Sequence, residues 1–351
     1  MDMTDPETFR LRAGPDGDIA PEGQKAGSPR SISEKRAFLA LASVHGVGQK
    51  TMFGLAESGH RFSEVLDYGP GDTVVGTRAI DQKGEPISQR QWSAIRNNAL
   101  GRADSLAESL DQLGVSLLFR DDADFPAQLL DLARPPHWLF VQGSTALLHE
   151  PSVTIVGTRK PSADGLFLAR YVGACLEDWD APTVSGLAAG IDQLAHEHSL
   201  RAGVPTIAVL GTGMLDDYPK GSGVLREHIL ETGGTVVTEY LPRVSYSAEN
   251  FVQRNRLQAA LGRILIPVEW NRRSGTAHTV RFATQLHRPI ACLAMPEWPD
   301  ERVMLEPGLG LETGAIFTLP RHHARLNEFV LNALRTRKLA WSGQLSFLEE
   351  G

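Results

Sequence analysis

Five short segments of this sequence carry residues suited to holding an anion. Gly157-Thr158-Arg159-Lys160 pairs a small turn, which lets a ligand approach the backbone, with two cations. The glycine-flanked stretch from Ser185 through Gly186, Leu187, Ala188, Ala189 and Gly190 to Ile191 and Asp192 opens a helix whose first amides and dipole favour negative charge. Gly211-Thr212-Gly213 leads to Tyr218-Pro219-Lys220. Phe251-Val252-Gln253-Arg254-Asn255-Arg256 starts another helix, and Arg272-Arg273-Ser274-Gly275-Thr276 opens the last crossover helix. No segment is a Walker A loop, and no Gly-x-Gly-x-x-Gly with a distant acidic partner occurs, so neither nucleotide hydrolysis nor dinucleotide binding follows. Five separate segments, with Arg159, Lys160, Lys220, Arg254, Arg256, Arg272 and Arg273 spread among four of them, suit several phosphates along a chain better than one nucleotide. Phe251, Tyr218 and Trp270 lie beside the cations and would offer faces for base stacking.

These loops need a scaffold, and the apolar runs supply one. Short β-rich runs at 153–157, 183–187, 206–211, 235–240, 263–270 and 289–295 alternate with amphipathic stretches near 164–178, 190–202, 222–232, 250–261 and 277–287. That alternation predicts βαβ units, a mostly parallel sheet and a doubly wound α/β domain over about 151–320. The five loops then leave the carboxyl ends of strands and line one crevice. Upstream, 31–113 reads as a small helical domain. Ser31 to Glu34 has capping-box spacing, Gly46-Val47-Gly48 interrupts two helices in a helix-hairpin-helix pattern, and 88–113 forms a longer helix. In such a pattern the amides at the turn can bind a DNA phosphate. Residues 114–150 read as a linker segment with one strand, Val115 to Phe119, residues 1–30 as a flexible tail, and 321–351 as a C-terminal helix and tail.

Composition bounds the function. With 351 residues, 42% of them hydrophobic, the chain can bury a large core, and two cysteines exclude a disulfide framework or a cysteine-based zinc site. Cys175 and Cys292 read as buried thiols. No run is long and apolar enough to span a membrane, and the N-terminus lacks a secretory signal, which gives a cytoplasmic expectation. A formal charge of −7 argues against an all-over electrostatic grip on nucleic acid and leaves room for a local basic groove. Eleven histidines raise the question of a metal. His196 and His198 point apart on a helix, adjacent His322 and His323 are equally unsuited, and neither metal nor cofactor is expected.

Six ordered segments carry a family resemblance: IVGTRKPS (155–162), SGLAAGID with a following A-H (185–196), IAVLGTG (207–213) with YPK (218–220), TEY (238–240), F-x-x-R-N-R (251–256) and SGT (274–276). Across roughly 33–320 the sequence resembles the DNA-processing protein A family (DprA, also called Smf). The resemblance implies an extended Rossmann-like domain preceded by a helical domain of SAM-like type. It implies a non-enzymatic protein that binds single-stranded DNA, forms a homodimer and helps load the recombinase RecA in natural transformation and recombination. The DNA-binding positions it suggests, taken with the loops above, are Gly157, Thr158, Arg159, Lys160, Ser185, Gly186, Gly190, Lys220, Phe251, Arg254, Asn255, Arg256, Ser274 and Gly275. Asp192 and Glu239 also match family positions, with bracing of neighbouring loops as the plain reading.

The sequence departs from the family at acidic 297–301, and 321–351 is too short for the winged-helix domain that many relatives carry. Gln344, Leu345, Phe347 and Leu348 are similar to short peptides that dock on the bacterial sliding clamp. The competing reading is a nucleotide sensor or phosphoribohydrolase of the same superfamily. The hydrolase branch has a Pro-Gly-Gly-x-Gly-Thr-x-x-Glu motif that nothing here matches. A role in phage defence would use the same DNA grip.

Overall fold

The computed structural model describes residues 33–69, 88–299, 302 and 314–336. The tail of 1–30, Ser31 and the clamp-like peptide at 344–348 lie outside the described residues.

Counted over the described residues here and below, four helices come first: α1 (Glu34–Ala42), α2 (Gln49–Glu57), α3 (Phe62–Tyr68) and α4 (Gln89–Gln112). Hydroxyl caps fix their starts. Ser33 accepts from the Arg36 amide at α1, and Ser88 forms a reciprocal capping box with Gln91 at α4. Glu34 turns instead to α3, where its carboxylate accepts the Phe62 amide at 2.8 Å.

Nine strands follow: β1 (Val115–Phe119), β2 (Trp138–Gly143), β3 (Val153–Val156), β4 (Thr183–Ser185), β5 (Thr206–Val209), β6 (Thr235–Thr238), β7 (Ile264–Pro267), β8 (Ile290–Ala294) and β9 (Gly314–Thr318). Helices α5 (Ala163–Trp179), α6 (Ile191–Arg201), α7 (Gly223–Glu231), α8 (Ala248–Leu261), α9 (Gly275–Gln285) and α10 (His323–Arg335) connect or flank them. The sheet order is β1-β2-β6-β5-β4-β3-β7-β8-β9, antiparallel at β1–β2 and β2–β6 and parallel elsewhere. β3 through β8 are buried residue by residue, because helices cover both faces and leave no solvated side to alternate toward.

The doubly wound α/β fold expected from the apolar runs is therefore present, with a helical region before it. The segment read as a linker differs. Residues 114–150 contribute two strands to the sheet, and β2 bridges β1 to β6 in register from Phe140 opposite Thr238 to Gly143 opposite Thr235. β9 also extends the sheet beyond the six expected runs.

The helical region shares a core with the sheet. Phe38 of α1 packs edge-on against Trp138, 4.8 Å between ring centroids, and Phe53 of α2 stacks on the same indole at 4.8 Å. Both Phe38 and Trp138 are fully buried. Burying rings of this size contributes a few kcal/mol each, roughly 25 cal/mol per Å² of apolar surface. Gln49, at the start of α2, donates to the Glu239 carbonyl at 2.9 Å and accepts the Leu241 amide at 2.8 Å. The residue after the Gly-Val-Gly turn is thus committed to docking α2 on the loop that follows β6.

Cys175 and Cys292 are both buried free thiols, and burial pushes them up to about 11 and about 12. Among the described residues, no helix is long and apolar enough to cross a membrane, and no cluster of three or more His, Cys, Asp or Glu is placed to hold a metal ion.

Candidate nucleic-acid interface

From β3 the chain steps outward through β4, β5 and β6, then returns to place β7 on the other side of β3. The strand order reverses between β3 and β7, and in open parallel sheets the ligand crevice opens at such a point, beyond the carboxyl ends of the strands. The register sets Val156 opposite Pro267, so the loops after the two strands leave side by side. They are joined by backbone, the Val268 amide donating to Val156 and the Thr158 amide to Glu269 at 2.8 Å. Above them lies a cleft of about 550 Å³, floored by the β3 loop and the start of α9 and walled by α8.

Eight of the fourteen sequence-derived positions line this cleft: Gly157, Thr158, Arg159, Phe251, Arg254, Asn255, Ser274 and Gly275. Lys160 and Lys220 are exposed, next to Arg159 and two residues past the lining residue Tyr218. Ser185, Gly186, Gly190 and Arg256 are not in the lining, and each has a structural occupation instead. The Ser185 hydroxyl donates to the Ile155 carbonyl at 2.6 Å, which ties β4 to β3. Gly190 has φ +87°, and a Cβ there would stand 2.5 Å from the Thr158 carbonyl, so the glycine serves chain approach. Arg256 pairs with Glu239 at 2.5 Å, with both side chains buried.

Arg254 also corrects the reading from residue type. It borders the cleft but is only 3% exposed, and its guanidinium donates to the carbonyls of Gly186, at 2.7 Å, and Val209. A Cβ on Gly186 would run into that guanidinium, so glycine there makes room for the arginine. Asp192, buried at the first turn of α6, lies close to the backbone amides of Gly157 and Gly186 and faces Arg254, all of which favour its charged form. Asp192 braces the β3 and β4 loops, and Glu239 holds Arg256, the plain reading the sequence offered for both.

The cleft's aromatic lining was only partly legible. Tyr218 and Tyr246 stack at 4.5 Å and 23°, and Tyr218 lies 5.2 Å from Phe251. The Arg159 guanidinium sits over the Phe251 ring at 5.1 Å, and Arg254 approaches the same ring at 5.8 Å. The row Tyr246–Tyr218–Phe251–Arg159 thus presents π-faces ending in a cation, and Tyr246 is 59% exposed. Trp270, grouped with these rings in the sequence, packs instead against the apolar cluster under α9. Tyr246 escaped notice although its position, just before the α8 cap Ser247, was a usable signal. Asn255 donates to the Gly275 carbonyl at 3.1 Å and fixes the α9 entrance against α8. On the floor, the Gln258 side-chain nitrogen is buried without a hydrogen-bond partner among the described residues.

Two buried groups behind the cleft titrate in opposite senses. Burial raises Asp192 from 3.8 to about 6, against the pull of Arg254 and the two amides. Burial lowers His196 from 6.5 to about 3; the ring is fully enclosed and its Nδ1 bonds Thr206 Oγ1 at 2.8 Å. A depressed histidine contributes stability above pH 6.5 that is lost as pH falls toward 3, while a raised aspartate contributes stability below pH 3.8 that is lost as pH rises through 6. Between about pH 6 and 4 the two slopes oppose each other. Urea unfolding at pH 7 and pH 5 is expected to show His196→Gln gaining about 2 kcal/mol relative to the parent chain on acidification, and Asp192→Asn losing about 1 kcal/mol. Parallel pH profiles for parent and variants would contradict these assignments.

The family model described as DNA recombination-mediator protein A matches residues 116–305, more than half of the chain. The chain belongs to that family. Protein Smf of Synechocystis is 32% identical over 274 residues, covering 76% of this chain and 66% of its own length. DNA processing protein DprA of Streptococcus pneumoniae is 37% identical over 169 residues, covering 48% and 59%. This family member thus spans between half and two-thirds of the curated relatives it matches. The crystal structure of the pneumococcal protein aligns with 84% of this chain and 98% of its own at 24% identity and TM-score 0.57, which establishes the common fold.

Proposed function

We propose that this family member is a single-stranded DNA-binding recombination mediator that holds the strand in the cleft between the β3 and β7 loops and performs no covalent chemistry on it. The observation that carries the reading is the stacked row Tyr246, Tyr218 and Phe251 ending under the exposed Arg159. Unpaired bases present π-faces of every sequence to such a row, and each stack stabilises binding by about 1–3 kcal/mol with little base preference. Arg159, Lys160 and Lys220 supply cations for the phosphates, and the start of α9, which has no side-chain cap on its first-turn amides, supplies backbone donors; the Ser274 hydroxyl itself donates to the Asn271 carbonyl at 2.6 Å. Cations on two separate loops, Arg159 and Lys160 after β3 and Lys220 after β5, favour a polymer over a mononucleotide. A role for the buried carboxylates in catalysis has little support, because Asp192 and Glu239 are each engaged by an arginine.

On this reading the protein protects incoming single strands and assists RecA loading in natural transformation or recombination, as a homodimer in the cytoplasm. Family membership supports these finer assignments. Fluorescence anisotropy with labelled oligo-dT tests the core of the reading. Binding is expected at low salt, weakening with a slope of about −0.7 per contacted phosphate in log–log form. Absence of binding at low salt, together with micromolar affinity for a nucleoside monophosphate, would favour the nucleotide-sensor reading instead.

A further inference from the structure

The helix-hairpin turn singled out in the sequence is not used by the cleft described above, yet it borders another. A second cleft, of about 760 Å³, separates the helical region from the loop after β6. One wall is α4, which presents Asn98, Arg102, Ser105 and Ser109 along one face; the acidic residues of the same helix, Asp104, Glu108 and Asp111, are absent from the lining. The opposite wall carries Arg243. The turn contributes Val47 and Gly48, and Gly48 caps α2 without any side chain on the first-turn amides. Both arginines are exposed, and neither forms an ion pair among the described residues; Arg102 makes only a long bond of 3.3 Å to the Ser43 carbonyl.

The two clefts share a wall. The loop from Leu241 to Val244 lines the second, and Tyr246 and Ala248, immediately after it, line the first. A strand leaving the Tyr246 end of the aromatic row therefore meets Arg243 next. We infer that single-stranded DNA continues from the first cleft across Arg243 into the second, where Arg102 and the small polar face of α4 hold one or two further phosphates. The inference rests on the proposed reading of the first cleft, and it makes the helical region part of the DNA path. Two exposed guanidinium groups without ion pairs among the described residues, beside the exposed Asn98 amide and small serines that leave room, fit a phosphodiester backbone, which needs donors and space and no carboxylate nearby; the Ser105 and Ser109 hydroxyls donate to carbonyls of their own helix.

The test separates length from affinity. Wild type, Arg102→Gln/Arg243→Gln and an equal-charge control, Arg321→Gln/Arg325→Gln on the exposed start of α10, are titrated with oligo-dT of about 5 and about 25 nucleotides. All four arginines are exposed, so melting temperatures are expected to stay level and to confirm folding. The expected result is unchanged binding of the short oligonucleotide, a roughly tenfold loss for the long one, and a salt slope shallower by about 1.4 for the long one only. Ser105→Lys, which adds a cation to the same wall, is expected to tighten the long oligonucleotide and leave the short one alone. Unchanged binding of the long oligonucleotide by the double variant overturns the inference while leaving the first cleft standing, and so does an equal loss in the control. Failure of the wild type to bind either oligonucleotide removes the underlying reading and this extension with it.

Discussion

Arg159→Ala is expected to weaken single-stranded DNA binding by about ten- to a hundredfold, the largest effect on affinity of any one substitution in the cleft. Of the arginines in the cleft lining, Arg254 is locked onto two backbone carbonyls, whereas Arg159 is exposed, forms no ion pair among the described residues and sits over the Phe251 ring at 5.1 Å. Its loss removes a phosphate donor and uncovers the ring that ends the stacking row. Arg159→Lys keeps the charge but not the planar group and should fall between the two, whereas a purely electrostatic contribution would leave it at the parental affinity. Anisotropy at fixed salt distinguishes these outcomes, and parental affinity for Arg159→Ala would remove this residue from the interface.

The largest effect on stability is expected at Glu239. Its carboxylate is 1% exposed and faces Arg256, itself 9% exposed. Glu239→Ala leaves a guanidinium charge buried without its partner and should cost about 3–5 kcal/mol. The double substitution Glu239→Ala/Arg256→Met is expected to be less damaging than Glu239→Ala alone, because the stranded charge is then gone and an apolar side chain of similar length fills the space. Urea unfolding followed by tryptophan fluorescence measures both. A loss below about 1 kcal/mol for the single variant, or a double variant that is worse, would show that the pair contributes little. The consequence reaches past the pair. The Glu239 carbonyl also receives the Trp138 indole N–H at 2.8 Å and the Gln49 amide at 2.9 Å, so this loop is where the helical region, β2 and α8 meet.

Much of the scaffold was legible because parallel strands buried on both faces write themselves as unbroken apolar runs. All six runs from 153 to 295 became strands. β2 was missed for a related reason. Trp138 to Gly143 follows a Pro-Pro pair and precedes a short helical turn, so no βαβ period surrounds it, and its antiparallel place between β1 and β6 depends on contacts about a hundred residues away. At the site, the sequence located the loops and misjudged individual side chains. Residue type made Arg159, Arg254 and Arg256 equivalent phosphate ligands. The fold buries the latter two, because α8 turns those positions toward Gly186 and Glu239. Only Arg159, on the loop itself, stays free to meet a strand. Glycine was ambiguous in the same way: Gly186 and Gly190 suggested amides for phosphate, whereas both give room to neighbouring protein atoms.

The proposed function seats a single strand on the aromatic row of the β3–β7 cleft. Photocrosslinking with an oligonucleotide carrying 5-iodouracil, followed by peptide mapping, tests it most directly, since that chemistry joins a base to an aromatic ring stacked on it. The account predicts crosslinks at Tyr246, Tyr218 or Phe251, lost on competition with unlabelled oligo-dT. Efficient crosslinking confined to peptides that include none of these three rings would contradict it.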